Sequence, residues 1–342
     1  MFGIELSLIW AVLIAVAVFL YVALDGFDLG VGILFPFAKD PRERDQMQGA
    51  IAPVWDGNET WLVLGGGGLF AAFPKAYAAL MPALYLPIIL MLLALIFRGV
   101  AFEFRHHGRA RGKAFWTAAF AAGSIMAALA QGLVLGGFIQ GVALEDGAFV
   151  GGAFDWLTPF SLLVAVSLVA GYALLGGCWL VFKTRGALYE RARHWVKQLA
   201  VLTALAMGAV SLATLSVDPR VTARWGLTMT SVDWPVFIKL APLPLIAGAI
   251  CVALWLRWKG EPLIAPYLLA VGLFAVGYVG LAVSLWPYIV PFALEPADAA
   301  AADNALELML WGAAPMLPII LAYTAYVYWI FRAKVDDDGA YH

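Results

Sequence analysis

The chain has 342 residues, 63% of them hydrophobic and only 13% charged, with a mean hydropathy of +0.88. A soluble domain of this size could not stay in solution with so little polar surface, so the composition is that of an integral membrane protein. A net charge of -2, with no basic tract interleaved with aromatics, excludes a nucleic-acid partner.

Apolar runs long enough to cross a bilayer recur at residues 6–35, 50–73, 78–102, 114–142, 158–183, 196–216, 235–257, 264–290 and 306–331. They predict an all-α polytopic fold with about nine transmembrane helices and no independent soluble domain, so that residues 1–342 form a single integral membrane domain. The first run has no Lys or Arg before it and no cleavage site after a short apolar core, and is expected to be a retained span.

That first run carries the segment LDGFDLGVG at residues 24–32, in which Asp25 and Asp28 interrupt an otherwise oily helix. A carboxylate at the centre of a span costs about 2.5 to 3.5 kcal/mol, so two of them need a reason. Being i and i+3, they share one helix face and can look into a polar interior. The second run repeats the device in PVWDGNETW, residues 53–61, with Asp56 and Glu59 flanked by Trp55, Asn58, Thr60 and Trp61. Helix rise puts Asp28 roughly 16 Å and Asp25 roughly 21 Å from Lys39, and Asp56 roughly 9 Å from Ala50. The two runs are consecutive and joined by a short link, so their acidic faces can meet. Carboxyls crowded in a low dielectric hold protons near neutral pH, which is what a proton relay needs. On this reading Asp25 and Asp56 transfer protons, and Asp28, Trp55, Asn58 and Glu59 support them. The alternative, that these groups only hydrogen-bond between packed helices and that Asp56 caps a helix after Pro53, stays open on the sequence alone.

Within the second run, Gly65 to Gly68 suit close helix packing, since neither a helix N-terminus nor a Lys-Ser/Thr pair accompanies them as a phosphate loop requires. The third run ends in FRGVAFEFR, residues 97–105, where Arg98, followed by Glu103 and Arg105, reads as an interfacial anchor. A faint repeat relates Gly26, Phe27, Leu29 and Gly32 of the first run to Gly171, Tyr172, Leu174 and Gly177 of the fifth at a constant offset. It implies pseudo-repeats over 1–142 and 158–290, hence two four-helix bundles, with one extra peripheral helix at 306–331. Pro242 and Pro244 interrupt the seventh run.

Seventeen of the 21 basic side chains fall on the connections after spans one, three, five, seven and nine; only Lys75, Arg220, Arg224 and Lys239 fall on the other side. The N-terminus is therefore expected outside and the C-terminus in the cytoplasm. Cys178 and Cys251 lie in separate apolar runs and read as small core residues. The four histidines, His106, His107, His194 and His342, all fall in connections or the tail, so axial histidine ligation of an intramembrane haem is not expected here. The adjacent His106 and His107 point to different helix faces and read as part of a solvated basic loop, with no metal site.

The motifs DGFDLGVG and WDGNETW closely resemble subunit II of the cytochrome bd-type quinol oxidases. The likeness extends through residues 52–78 (APVWDGNETWLVLGGGGLFAAFPKAYA), the FRGVAFEFR ending and the final PIILAYTAYVYW at 318–329, and so spans nearly the whole chain. The resemblance implies a subunit of a terminal oxidase of the bacterial inner membrane that oxidises membrane quinol and reduces dioxygen to water. It places haem b and haem d, or haem b only, on a larger haem-bearing subunit I, beside which this chain packs and supplies a cytoplasmic proton route. The family's acidic pathway residues fall on Asp25 and Asp56. Charge separation then arises without a pumped proton, because protons are consumed from inside while quinol releases its own outside. The other implied partners are membrane lipid and quinone, and, as an option the sequence leaves open, a small single-span subunit. Some members hold a structural quinone, which no motif here locates. The short outer connection at 217–234 resembles the cyanide-insensitive branch. The rival reading, a stand-alone ion or small-solute transporter, rests on the faint repeat and the broken seventh helix.

Overall fold

Each of the nine apolar runs folds as helix in the computed structural model, which describes residues 5–107, 110–228, 231–256 and 264–335. In chain order the helices are α1 (Leu6–Leu34), α2 (Pro41–Gly49), α3 (Trp55–Ala72), α4 (Pro74–His107), α5 (Ala110–Gln140), α6 (Pro159–Lys183), α7 (Gly186–Thr214), α8 (Pro219–Arg224), α9 (Trp234–Leu240), α10 (Pro242–Leu256), α11 (Ala265–Leu285), α12 (Pro296–Ala299) and α13 (Asp303–Ile330). A two-stranded ladder, β1 (Leu144–Glu145) with β2 (Ala148–Phe149), closes the turn after α5. The seventh run is broken at Ala241 into α9 and α10, where Pro242 and Pro244 remove backbone donors.

Several helix starts are set by an oxygen-bearing cap followed by proline. Asp40 accepts from the Glu43 N–H, Thr158 forms a reciprocal box with Ser161, Asp218 accepts from the Arg220 N–H and Asp233 from the Val236 N–H, each with Pro at the first or second helical position. The first of these pairs creates α2, a short helix not expected from the apolar pattern.

Among the described residues, eight helical segments are long and apolar enough to cross a membrane. The ninth predicted span, α3, is shorter in apolar content because WDGNET occupies its first two turns, yet it runs antiparallel to α1 along most of that helix. Asn58 reaches the Leu24 carbonyl, Gly65 faces Val18 and Gly68 faces Ile14. At about 1.5 Å per residue its 18 residues cover roughly 27 Å, close to the hydrocarbon thickness.

Helices α1, α3, α4 and α5 touch in turn to close one four-helix bundle, and α6, α7, α10 and α11 close a second; the two join where α6 packs on α1 and α5. Helix α13 lies outside both, chiefly against α1 and α3. At the joint, backbones meet: a Cβ on Gly30 would stand 1.8 Å from the Tyr172 carbonyl oxygen, and one on Gly176 would stand 2.3 Å from the Gly30 carbonyl carbon. Phe27 stacks on Trp179 beside this crossing, with ring centroids 4.1 Å apart. Every residue from Asp25 to Phe35 is consequently buried by protein. The DGFD segment faces neighbouring helices, not lipid.

Basic connections gather at one end of the molecule. Arg105 and Lys113 pair with Asp45 at 2.8 and 3.3 Å, Arg191 pairs with Glu43 at 2.8 Å, and Gln46 donates to the Val335 carbonyl, so α2 ties together the chain after α1, α4, α6 and α13. At the opposite end Trp10 donates to the Leu306 carbonyl, Ala301 to that of Ala72, and Lys75 to that of Asp298.

Because the joint depends on bare backbone, Gly30→Leu should destabilise the chain by at least about 1–3 kcal/mol, the usual range for overpacking. Gly66→Ala, inside α3 at a position with nothing within 4 Å, should leave the isolated chain no less stable, with a gain of up to about 1 kcal/mol from helix propensity. Thermal unfolding monitored by size-exclusion chromatography separates the two; equal midpoints would contradict the α1–α6 contact.

Candidate functional site

Three helices deliver charge to one buried point. Asp25 and Asp28, both fully buried, come from the enclosed half of α1; Asn58 and Glu59 come from the start of α3; Arg98 comes from α4. The Arg98 Nη1 donates to Asp25 Oδ1 at 3.1 Å and to Glu59 Oε1 at 2.5 Å, and its guanidinium lies 5.7 Å from the Trp55 ring centroid. A glycine in α5 makes room for it, since a Cβ on Gly123 would meet Arg98 Cβ at 3.1 Å.

Around this pair the polar groups form two arms. In one, the Asn58 Nδ2 donates to Asp28 Oδ2 at 2.7 Å while its Oδ1 accepts from the Tyr328 hydroxyl at 2.8 Å. In the other, the Tyr21 hydroxyl lies beside Asp25, accepts from Gln131 Nε2 at 2.6 Å, and Gln131 Oε1 accepts from the Tyr172 hydroxyl at 2.7 Å. Among the described residues, Asp25 Oδ2, Asp28 Oδ1 and Arg98 Nε and Nη2 are buried with no hydrogen-bond partner. Such atoms in a native interior are normally met by ordered water.

The expected residues are thus partly assembled. Asp25, Asp28, Asn58 and Glu59 come together, with Trp55 against the guanidinium. Asp56 stands apart on the exposed side of α3, near enough to Glu59 for the two carboxyls to repel. Glu59, at 28% side-chain exposure, sits between the inward Asn58 and the outward Asp56. Arg98 is corrected outright: expected as an interfacial anchor, it is 1% exposed and is the counter-charge of the cluster. The belt pattern misleads because α4 continues to His107, which leaves Arg98 about 10 Å deeper than Arg105. Arg105 is itself buried, bonded to Gln48, Thr117 and Asp45. Tyr21, Gln131, Tyr172 and Tyr328 are further members that the sequence pattern did not single out; each reads locally as one more polar or aromatic residue in an apolar helix.

The model of the family described as cytochrome bd terminal oxidase subunit II matches residues 6–331. The chain belongs to that family. It is 29% identical to the cytochrome bd-I ubiquinol oxidase subunit 2 of Escherichia coli K12, covering 97% of this chain and 96% of that one. It is 28% identical to the cytochrome bd ubiquinol oxidase subunit 2 of Bacillus subtilis 168, with 96% of each covered. Its fold matches a chain in the structure of bd oxidase from Geobacillus thermodenitrificans with a TM-score of 0.77 at 18% identity, over 96% of this chain and 99% of that one. As a bd oxidase subunit II with many apolar spans, it is a multi-pass protein of the bacterial inner membrane and a subunit of an oxidoreductase, and its family implies haem, quinol and a partner subunit.

Among the described residues, no histidine sits in the interior to hold the haem that the cytochrome bd family implies. Of its four histidines, His194 lies on the exposed side of α7 with Nδ1 hydrogen-bonded to the Glu190 carbonyl, and His342 is outside the described residues, as are the side chains of His106 and His107. The buried cluster offers carboxyl, amide and guanidinium groups, with its tyrosine hydroxyls engaged in hydrogen bonds to Gln131 and Asn58, an arrangement that suits proton chemistry.

Removing one partner of a buried ion pair typically costs about 3–5 kcal/mol, because the other charge is left stranded. Arg98→Gln should therefore lower stability by that order, and Asp25→Asn combined with it should recover part of the loss. A double-mutant cycle by thermal unfolding measures this; additive effects would mean the two side chains are not coupled.

Proposed function

We propose that this chain carries protons from the cytoplasmic side through the Asp25–Arg98–Glu59 cluster to the haem-bearing subunit of a bd-type quinol oxidase. The observation that carries the reading is an acid cluster that, among the described residues, opens at the Glu59–Asp56 edge, while the unpartnered Asp28 Oδ1 and Arg98 nitrogens mark where water would connect its enclosed side. One guanidinium balances one carboxylate, so charge balance in so dry a place calls for protons on the other carboxyls. A proton held for balance is one that can be passed on, and Asp25 and Asp28, one turn apart on α1, offer successive carriers.

Asp56 adds to this. A carboxylate facing acyl chains costs about 2.5 to 3.5 kcal/mol, and Asp56 is exposed on α3 beside Gly57, Thr60, Gly66 and Gly67. That face of α3 suits burial by subunit I, which would place Asp56 at the contact and Glu59 just behind it. Asp25 and Asp56 then transfer protons at the two sides of Glu59, while Asp28 and Asn58 set the inner geometry and Trp55 covers Arg98. The convergence of the chain after α1, α4, α6 and α13 on α2 supports a cytoplasmic location for that end, with the N-terminus outside. The relatives' printed names, ubiquinol oxidase subunit 2, support ubiquinol as the electron donor.

The enclosed stretch of α6, Ala170 to Leu180, stands at the same offset from Asp25 to Phe35 as Gly171 does from Gly26. This supports reading 1–142 and 158–290 as related halves with 306–331 added. Ala170 and Ala173 occupy the places of Asp25 and Asp28 in the second half, so only the first carries acids. The transporter reading gains nothing from the broken seventh helix, because α9 buries none of its residues and lines no polar site.

Asp25→Asn and Asp56→Asn in the purified complex should each slow quinol-driven oxygen uptake by tenfold or more, about the scale of losing a proton-transfer group, with haem spectra intact. Unchanged uptake in both variants would leave the cluster a packing device.

A further inference from the structure

Helix α13 is the most exposed of the long helices: Leu306 is its one buried residue. It is nonetheless pinned at its C-terminal end. The buried Lys183 at the end of α6 donates to the carbonyls of Phe331 and Ala333, Lys334 donates back to the Phe182 carbonyl, and the Val335 N–H donates to the Lys183 carbonyl. Gln46 of α2 holds the Val335 carbonyl at 3.1 Å. One turn before this clamp, Tyr328 reaches inward, its ring edge-on to Phe27 and Trp179 and its hydroxyl 2.8 Å from Asn58 Oδ1.

The orientation of the Asn58 amide follows from its neighbours. Its Nδ2 faces two acceptors, Asp28 Oδ2 at 2.7 Å and the Leu24 carbonyl at 3.4 Å. A carbonyl cannot donate, so that side of the amide must be the NH2 group, and Oδ1 must face Tyr328, which donates to it. An amide locked this way makes Asp28 Oδ2 an acceptor only. Any proton on Asp28 then resides on Oδ1, the oxygen with no partner among the described residues.

We propose that Tyr328 is a positioning residue for the acid cluster: by donating to Asn58 Oδ1 it holds in place the amide that the Leu24 carbonyl orients, so that the pair keeps the proton of Asp28 on one oxygen, and the Lys183 clamp after α13 keeps Tyr328 in place. Among the described residues the Tyr328 hydroxyl bonds Asn58, and through it reaches Asp28. The inference deepens the proton-delivery reading and rests on it for its functional consequence, but the local claim about Asp28 is tested without it.

The test uses the purified oxidase complex with Tyr328→Phe, which keeps the ring and removes the donor. Infrared difference spectra identify the Asp28 bands as those lost in Asp28→Asn. Tyr328→Phe should displace these bands, shift the pH profile of oxygen uptake and slow turnover by about fivefold, the equivalent of one hydrogen bond, with the haem spectrum unchanged. Asn58→Ala, with Tyr328 left in place, should displace the same bands and serves if Tyr328→Phe does not assemble. Asp28 bands and a pH profile that stay unmoved in an assembled variant overturn the proposal. Displaced bands with turnover unaffected in both Tyr328→Phe and Asp25→Asn uphold the positioning of Asp28 and overturn proton delivery instead.

Discussion

The Arg98 guanidinium, shared between Asp25 and Glu59 at 3.1 and 2.5 Å, is the interaction on which the first bundle is organised. It joins α4 to α1 and α3 at one buried point, where any unpaired member would be a stranded charge. Charge burial of this kind is a poor source of net stability, because desolvation offsets the Coulombic gain. Its effect is to specify position: α1, α3 and α4 can meet in only one register that pairs all three groups. The surrounding helices are then free to be almost wholly apolar, and their glycines set how closely they approach.

That closeness explains why the acids are tolerated. Gly30 and Gly176 let α1 and α6 touch backbone to backbone, Gly123 admits Arg98, and Phe27 stacks over Trp179. Together these contacts wrap the C-terminal part of α1 in protein, so Asp25 and Asp28 are enclosed by neighbouring helices. The polar edge of the cluster is confined to α3, where inward Asn58, intermediate Glu59 and outward Asp56 follow one another around the helix. Packing, electrostatics and access are thereby settled by a few side chains on three helices.

Much of this was legible in the sequence, for a physical reason. Apolar runs of span length show where helices form, and paired acids inside them show where the interior is polar, so DGFD and WDGNET mark the buried acid cluster. What remained hidden depends on contacts distant in the chain. Arg98 looks like one more belt arginine unless α4 is known to run on to His107 and α3 is known to lie beside it. Tyr328 sits in an aromatic-rich helix end where nothing local marks the one hydroxyl that turns inward. Asp56 and Glu59 share a spacing that predicts one face, yet the face straddles the boundary between interior and surface, and the sequence does not say where that boundary falls. Helix α2 was hidden in a polar connection, although Asp40, Pro41 and Glu43 carry a capping pattern that could have revealed it.

Under the proposed repeat, Ala170 and Ala173 of the second bundle stand where the first has aspartates. The central claim is that protons move through the acidic half alone. Time-resolved proton uptake from the cytoplasmic side, started by adding oxygen to the reduced complex in vesicles, tests it most directly. The account predicts that Asp25→Asn delays uptake at least tenfold while the initial reaction of oxygen with haem keeps its rate. Uptake at the wild-type rate in that variant would contradict it.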